Sequence, residues 1–163
     1  MSDISLEDQQ KSVQQKLGRF MLRVQRYEML LKALVIDSVT SGTVESAPLN
    51  KQLRRDHFAT KPMGYLFDEL HRSYLRQMGE TAPEEEESEV DPSRPTFHTR
   101  MSMQLAPEDL EQTKARNEAF KNLRNRIVHH LYEEHDLTTK DGCERALALL
   151  DMGLDSSQVH YEE

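Results

Sequence analysis

Cysteine occurs once in the 163 residues, tryptophan not at all, and glycine and proline six times each. A single thiol excludes an internal disulfide framework and any cysteine-based zinc cluster. So few glycines and prolines weigh against a sandwich or propeller, whose short strands need frequent turns, and favour helices. Long apolar runs are missing as well. The most apolar stretch, residues 29–36, is interrupted by Lys32 and falls far short of the ~20 residues a membrane span needs. The opening MSDISLEDQQ has neither a basic region nor an apolar one, so no secretory signal is visible and a cytoplasmic protein without membrane association is expected. Hydrophobic residues amount to 36%, leaner than the roughly 45–50% of an average domain with glycine included. With a mean hydropathy of -0.77, part of the chain is expected outside the core.

The net charge of -8 is unevenly spread. Glu80, Glu84, Glu85, Glu86, Glu87, Glu89 and Asp91 account for nearly all of it, in a stretch without Lys or Arg. Elsewhere the sign reverses. Lys11, Lys16, Arg19, Arg23 and Arg26 follow one another without an intervening acid, and Lys114, Arg116, Lys121, Arg124 and Arg126 crowd a second segment. A nearly neutral body with basic helices binds a polyanion locally despite an acidic total, so RNA is not excluded.

Hydrophobic spacing predicts the elements. Ser5 and Asp8 offer a helix start, and Leu6, Val13, Leu17, Phe20, Val24, Tyr27, Leu31 and Leu34 recur at intervals of three, four or seven. Met21, Met29, Leu30 and Val35 widen that stripe toward a bundle core. Residues 38–50 break it. A second helical region opens at Pro62, with Met63, Leu66, Phe67, Leu70, Tyr74 and Met78 on one face. Residues 80–95 hold three prolines and many acids, which predicts a mobile acidic loop. Phe97, Thr99, Met101, Met103 and Leu105 alternate as in an extended arm or short strand; without a strand partner, an arm packed on the bundle is the expectation. Pro107, Glu108 and Asp109 open a third long helix reaching about Glu134, and Thr138 and Asp141 cap a last one bearing Cys143, Ala146, Leu147 and Leu150. The polar tail 155–163 is expected to fray. The expected architecture is all-α, a four- to five-helix bundle in one domain over 1–163, with an acidic loop and an extended arm.

The stretch Leu123-Arg124-Asn125-Arg126-Ile127-Val128-His129-His130-Leu131-Tyr132 differs from the rest. It resembles the signature of the HEPN superfamily, in which an Arg, usually followed by a polar residue, precedes a His by four to six residues on a bundle helix. Arg124, Asn125 and His129 fit the four-residue spacing; His130 fits the five-residue spacing and, with Tyr132, the His-x-Tyr extension of some toxin members. The resemblance implies a HEPN-like fold and a metal-independent endoribonuclease of toxin or antiphage-defence type, working as a homodimer with one composite cleft and no cofactor. An antitoxin or regulatory protein is then a further expected partner. Arg124, Asn125, His129 and His130 stand as catalytic candidates, and Lys121, Arg126 and Tyr132 as RNA-binding ones.

The chemistry of these residue types agrees with that implication. RNA carries its own nucleophile, the 2′-OH, so cleavage needs a proton acceptor, a proton donor and charge stabilisation at phosphorus. Histidine exchanges protons near neutral pH, and arginine keeps its charge and forks two N–H bonds onto phosphate oxygens. At ~100° per residue, Asn125 and His129 lie ~40° apart on the helix, whereas Arg124 and His129 lie ~140° apart. One rigid helix is therefore expected not to bring Arg124 and His129 together easily, which favours a site shared by two copies.

The same residues admit plainer readings. His129 and His130 serve equally as surface residues, and Arg124 as an ion-pair partner of Glu118 or Glu134. A metal site built from His129, His130, His135, Glu133 and Glu134 is disfavoured because adjacent histidines on a helix diverge by ~100°. Cys143, on an apolar face, reads as a buried small hydrophobe. The rival function is a non-catalytic HEPN-like dimerisation or nucleotide-binding module.

Overall fold

A computed structural model describes residues 5–80 and 94–162. Its elements in chain order are α1 (Leu6–Asp37), β1 (Val39–Gly42), α2 (Ala47–Ala59), α3 (Met63–Glu69), a π-helical turn (Leu70–Tyr74), β2 (Leu75–Gln77), β3 (Phe97–Arg100), β4 (Met103–Leu105), α4 (Pro107–Glu134) and α5 (Lys140–Glu162). Helices hold 74% of the described residues, so the chain is mostly helical, with two small sheets added. None of these helices is long and apolar enough to cross a membrane. The acidic loop expected over 80–95 lies almost wholly outside the described residues.

Two compact units divide the chain, Met1–Glu28 with Arg116–Glu163, and Met29–Ala115. The first is built from three helical segments. Val13, Phe20 and Val24 of α1, Phe120, Ile127 and Leu131 of α4, and Cys143, Ala146 and Leu150 of α5 are buried together at positions three, four or seven apart. Tyr27 meets Phe120 edge to face at 5.6 Å, which sets α1 antiparallel to α4 when read with the burial of Phe20 and Ile127 against Gly153. Polar ties run parallel along α1 and α5: Gln9 Nε2 donates to Glu144, Lys16 pairs with Asp151 at 2.5 Å, and Arg23 donates to the Leu154 carbonyl. A Cβ at Gly153 would stand 2.6 Å from Ile127 and 2.9 Å from Phe20, so this glycine allows α5 its close approach. The expected frayed tail is helix: α5 continues to Glu162, with Ser157 buried and its hydroxyl bonded to the Leu154 carbonyl. A polar sequence forms helix where a packed partner supplies the free energy that propensity lacks.

The second unit contains the short elements. The expected lone arm is two strands, and both have partners: β3 pairs antiparallel with β1, Val39 opposite Arg100, and β4 pairs parallel with β2, Leu75 opposite Met103. Those partners lie where the spacing pointed elsewhere, in the breaker segment and at the end of the second helical region. There α3 stops at Glu69, passes through the π turn and becomes strand, leaving Met78 63% exposed. Helix α2 has no apolar stripe; of its residues only Phe58 is buried, which is why periodicity does not reveal it. Met29 and Leu30 are exposed, whereas Leu31, Val35 and Ile36 are buried with Met63, Leu66, Phe67 and Leu70.

Arg54 closes the end of α1 in this unit, its Nη2 and Nε donating to the Val35 carbonyl at 2.8 and 3.1 Å. A cation at a helix C-terminus satisfies an orphan carbonyl and meets the negative end of the dipole. Beneath it Glu69, 6% exposed, accepts from Arg72 and lies 3.6 Å from Arg54. Burial draws the Arg54 guanidinium below its ordinary range, and the hydrogen bond to Glu69 raises that of Arg72.

His71 stacks on Phe67 with ring centroids 6.5 Å apart. Its burial, then the nearby Lys114 charge, hold it below the ordinary value of 6.5, against the weaker pull of Asp68 and Glu111. The unfolded chain therefore takes up this proton at higher pH than the folded one. His71's contribution to stability is full above 6.5 and is lost as pH falls from there through the lower folded value. The expected result is that His71→Gln flattens the fall in urea midpoint between pH 7.5 and 5, measured against wild type.

Candidate active site

All seven residues singled out in the sequence lie on α4, within the first unit. Phe120, Ile127 and Leu131 point into the core and set the rotational phase of the helix. Going round from Ile127, Arg124 falls at ~60° and Asn125, His129 and Tyr132 at ~140–200°. Arg124 thus starts at the margin of the buried face, with its Nε buried and without a hydrogen-bond partner, while its guanidinium tip reaches out. His129, His130 and Tyr132 are exposed, the last by 71%.

At that tip one Arg124 amino group makes both contacts, Nη1 donating to Asn125 Oδ1 at 3.0 Å and standing 3.3 Å from His129 Nε2. This corrects the expectation that a single helix keeps Arg124 and His129 apart. The ~140° separation and ~7.5 Å rise between them describe Cα directions, and a side chain with four rotatable bonds spans both. Guanidinium has donors and no acceptor, so a hydrogen bond between these two groups runs from Arg124 to His129 Nε2. The arrangement presents a cation, an amide and a basic ring nitrogen within one patch of a single chain.

The surrounding charges are distributed differently. Lys121 pairs with Glu118 at 2.5 Å, Arg126 with Glu134 at 2.5 Å, and His130 Nδ1 with Glu133 at 2.7 Å. The hydrogen bond from Lys121 holds the Glu118 carboxyl below its usual range. Arg124 takes neither Glu118 nor Glu134, the partners its plainer reading requires, and no ion pair to it occurs among the described residues. Of the basic groups proposed for phosphate, Arg124 contacts Asn125 and His129 and no carboxylate among the described residues, and it keeps its field for an incoming anion.

Beside His129 lies a cleft of about 220 Å³. Leu17 and Met21 of α1 form one wall and Val128, His129 and Tyr132 the other, over the buried Ile127 and Leu131. Sequence reading placed Leu17 and Met21 in the core stripe; both are half-buried and line this opening. Their i,i+4 spacing was the available signal, but it does not distinguish a covered face from a cleft wall. His129 and His130 hold their rings 6.4 Å apart at 71°, and no group of three or more His, Cys, Asp or Glu suited to a metal ion occurs among the described residues. Cys143 is a free, buried thiol within the helical core.

Comparison with known proteins finds no match to a protein-family model, a curated protein or a solved structure.

Proposed function

We propose that the chain is a metal-independent endoribonuclease of the toxin or antiphage-defence kind, with Arg124, Asn125 and His129 as the centre of its site. The contact of Arg124 Nη1 with both Asn125 and His129, with no carboxylate among the described residues paired to Arg124, carries this reading. His129 accepts the 2′-OH proton at Nε2; the 2′-oxygen bonds to phosphorus while the bond from phosphorus to the 5′-oxygen breaks. The departing 5′-oxygen takes a proton from a second carrier, His130 or the imidazole of a second copy across a two-fold axis. Arg124 stabilises the charge gathered on the phosphorane oxygens, and Asn125 orients the Arg124 amino group and the phosphate. The products are a 2′,3′-cyclic phosphate and a 5′-OH. The RNA needs no carboxylate-held Mg²⁺ in this scheme, because the charge is met by arginine and the protons by histidine.

The test is cleavage of single-stranded RNA in EDTA, with end-group analysis and with a strand lacking the 2′-OH as substrate. Cyclic-phosphate ends and no cutting of the deoxy strand are the expected result; cleavage that requires a divalent metal overturns the mechanism. The pairing of Lys121, Arg126 and His130 with acids on their own helix favours the second reading, a HEPN-like module that dimerises or holds a nucleotide without turnover. Binding with no cleavage by any preparation is its outcome. Mixing Arg124→Ala with His129→Ala protein separates the shared site from the single-chain one: a composite cleft regains part of the activity in mixed dimers, and a site complete in one chain regains none.

A further inference from the structure

The cleft beside His129 combines two surfaces that a nucleotide needs together, and this step rests on the ribonuclease reading above. Its walls are aliphatic or aromatic at Leu17, Met21, Val128 and Tyr132, and its rim carries His129, whose Nε2 stands 3.3 Å from the Arg124 guanidinium. An uncharged peptide or a lipid chain would use the apolar part and leave the cation idle; a free phosphate would do the reverse. A nucleotide is apolar and flat at one end and anionic at the other. At about 220 Å³ the opening is smaller than the roughly 300–1,000 Å³ of a pocket for a drug-sized ligand and suits a single ring system. Tyr132 is three residues beyond His129 and so on the same side of α4, with its ring 71% exposed and free to cover a flat partner.

We infer that this cleft holds one nucleobase of the RNA strand, the one next to the linkage gripped by Arg124 and His129, with Tyr132 stacked on it and Leu17 and Met21 at its edge. Of the side chains that line it, those of His129 and Tyr132 carry polar groups and the other five are aliphatic or thioether. A base is distinguished from its competitors by several converging donors and acceptors, which aliphatic walls do not supply. The cleft therefore places the strand without reading it, and target choice falls to RNA shape or to contacts elsewhere. Tyr132 is a positioning residue in this scheme, acting on where the phosphate sits relative to His129.

The experiment uses DNA strands, which lack the 2′-OH and cannot be cut by the proposed route, so binding is read independently of turnover. The full chain is titrated with pentadeoxythymidylate and with the same backbone carrying no bases. Wild type is expected to bind the base-bearing strand about 5- to 150-fold more tightly, the range of one stacked base. Tyr132→Ala removes most of that ratio and leaves affinity for the abasic strand within about twofold; Tyr132→Phe keeps the ratio; Arg124→Ala weakens both strands alike. The methyl resonance of Met21 shifts with the base-bearing strand and not with the abasic one. Equal wild-type affinity for the two strands, or a ratio untouched by Tyr132→Ala, overturns the inference while leaving RNA cleavage to be judged by its own assay. A preserved ratio in a protein that cuts no RNA upholds the base cleft and removes the nuclease reading instead.

Discussion

Arg124→Ala is expected to lower kcat/KM for RNA cleavage by about 10²–10³-fold, the usual cost of deleting one preorganised group from developing charge. His129→Ala is expected to cost about 10²–10⁴-fold, the range of a lost general base. The two differ in kind. Arg124→Lys retains charge but not the forked geometry, so it recovers only part of the loss, and its remaining activity falls more steeply with salt. His129→Gln keeps a polar side chain without a titrating ring and recovers nothing. The measurement is single-turnover cleavage of a labelled RNA in EDTA, with circular dichroism to show that helix content is intact. His129 is exposed and Arg124 is half-buried, so urea midpoints of both variants separate a loss of chemistry from a loss of packing. Equal activity in wild type and both alanine variants would remove these residues from the chemistry.

Glu69→Ala is expected to destabilise the second unit by about 1–3 kcal/mol, the cost of leaving a half-buried charge without its carboxylate. Glu69 is nearly inaccessible and faces Arg54 at 3.6 Å, and Arg54 is held in place by its two bonds to the Val35 carbonyl. Without the carboxylate, Arg54 is left with the like charges of Arg100 and Arg72, which already act against its protonated form. The other half of the cluster behaves differently. Arg72 is 75% exposed, and its alanine variant is expected to cost under about 1 kcal/mol because water replaces the lost pair. Glu69→Gln, which preserves packing and an acceptor, falls between the two. Urea midpoints of the three variants at one pH give the ordering, and an Arg72→Ala effect as large as that of Glu69→Ala would contradict this account of the cluster.

The long helices were legible because each carries apolar residues at helical spacing over several turns. Val13, Phe20 and Val24, and likewise Phe120, Ile127 and Leu131, repeat at the period of a helix, and these positions are buried. Helix α2 and strands β1 and β2 were not legible. Phe58 is the single buried residue of α2, and three- or four-residue strands contain too few side chains to show a period. Whether a short extended segment is an arm or a strand depends on a partner: Val39 lies far in sequence from Arg100, and Leu75 from Met103. The tail shows the same dependence, since Ser157 is polar by type and buried by position.

The candidate site divides along the same line. Residue types and spacing alone singled out Arg124, Asn125 and His129, because few side chains hold a permanent charge or exchange protons near neutrality, and their distance along a helix can be counted. Their contact could not be counted. Arg124 turned to His129 while Lys121 binds Glu118 and Arg126 binds Glu134, a set of pairings that spacing along the helix does not specify. The cleft at Leu17 and Met21 likewise exists only because α1 and α4 leave an opening there. Sequence determines which groups are present and which face of a helix turns inward, since both follow from local geometry and hydrophobicity. Only the tertiary structure decides which groups meet, because competition among neighbours far apart in the chain determines each partner.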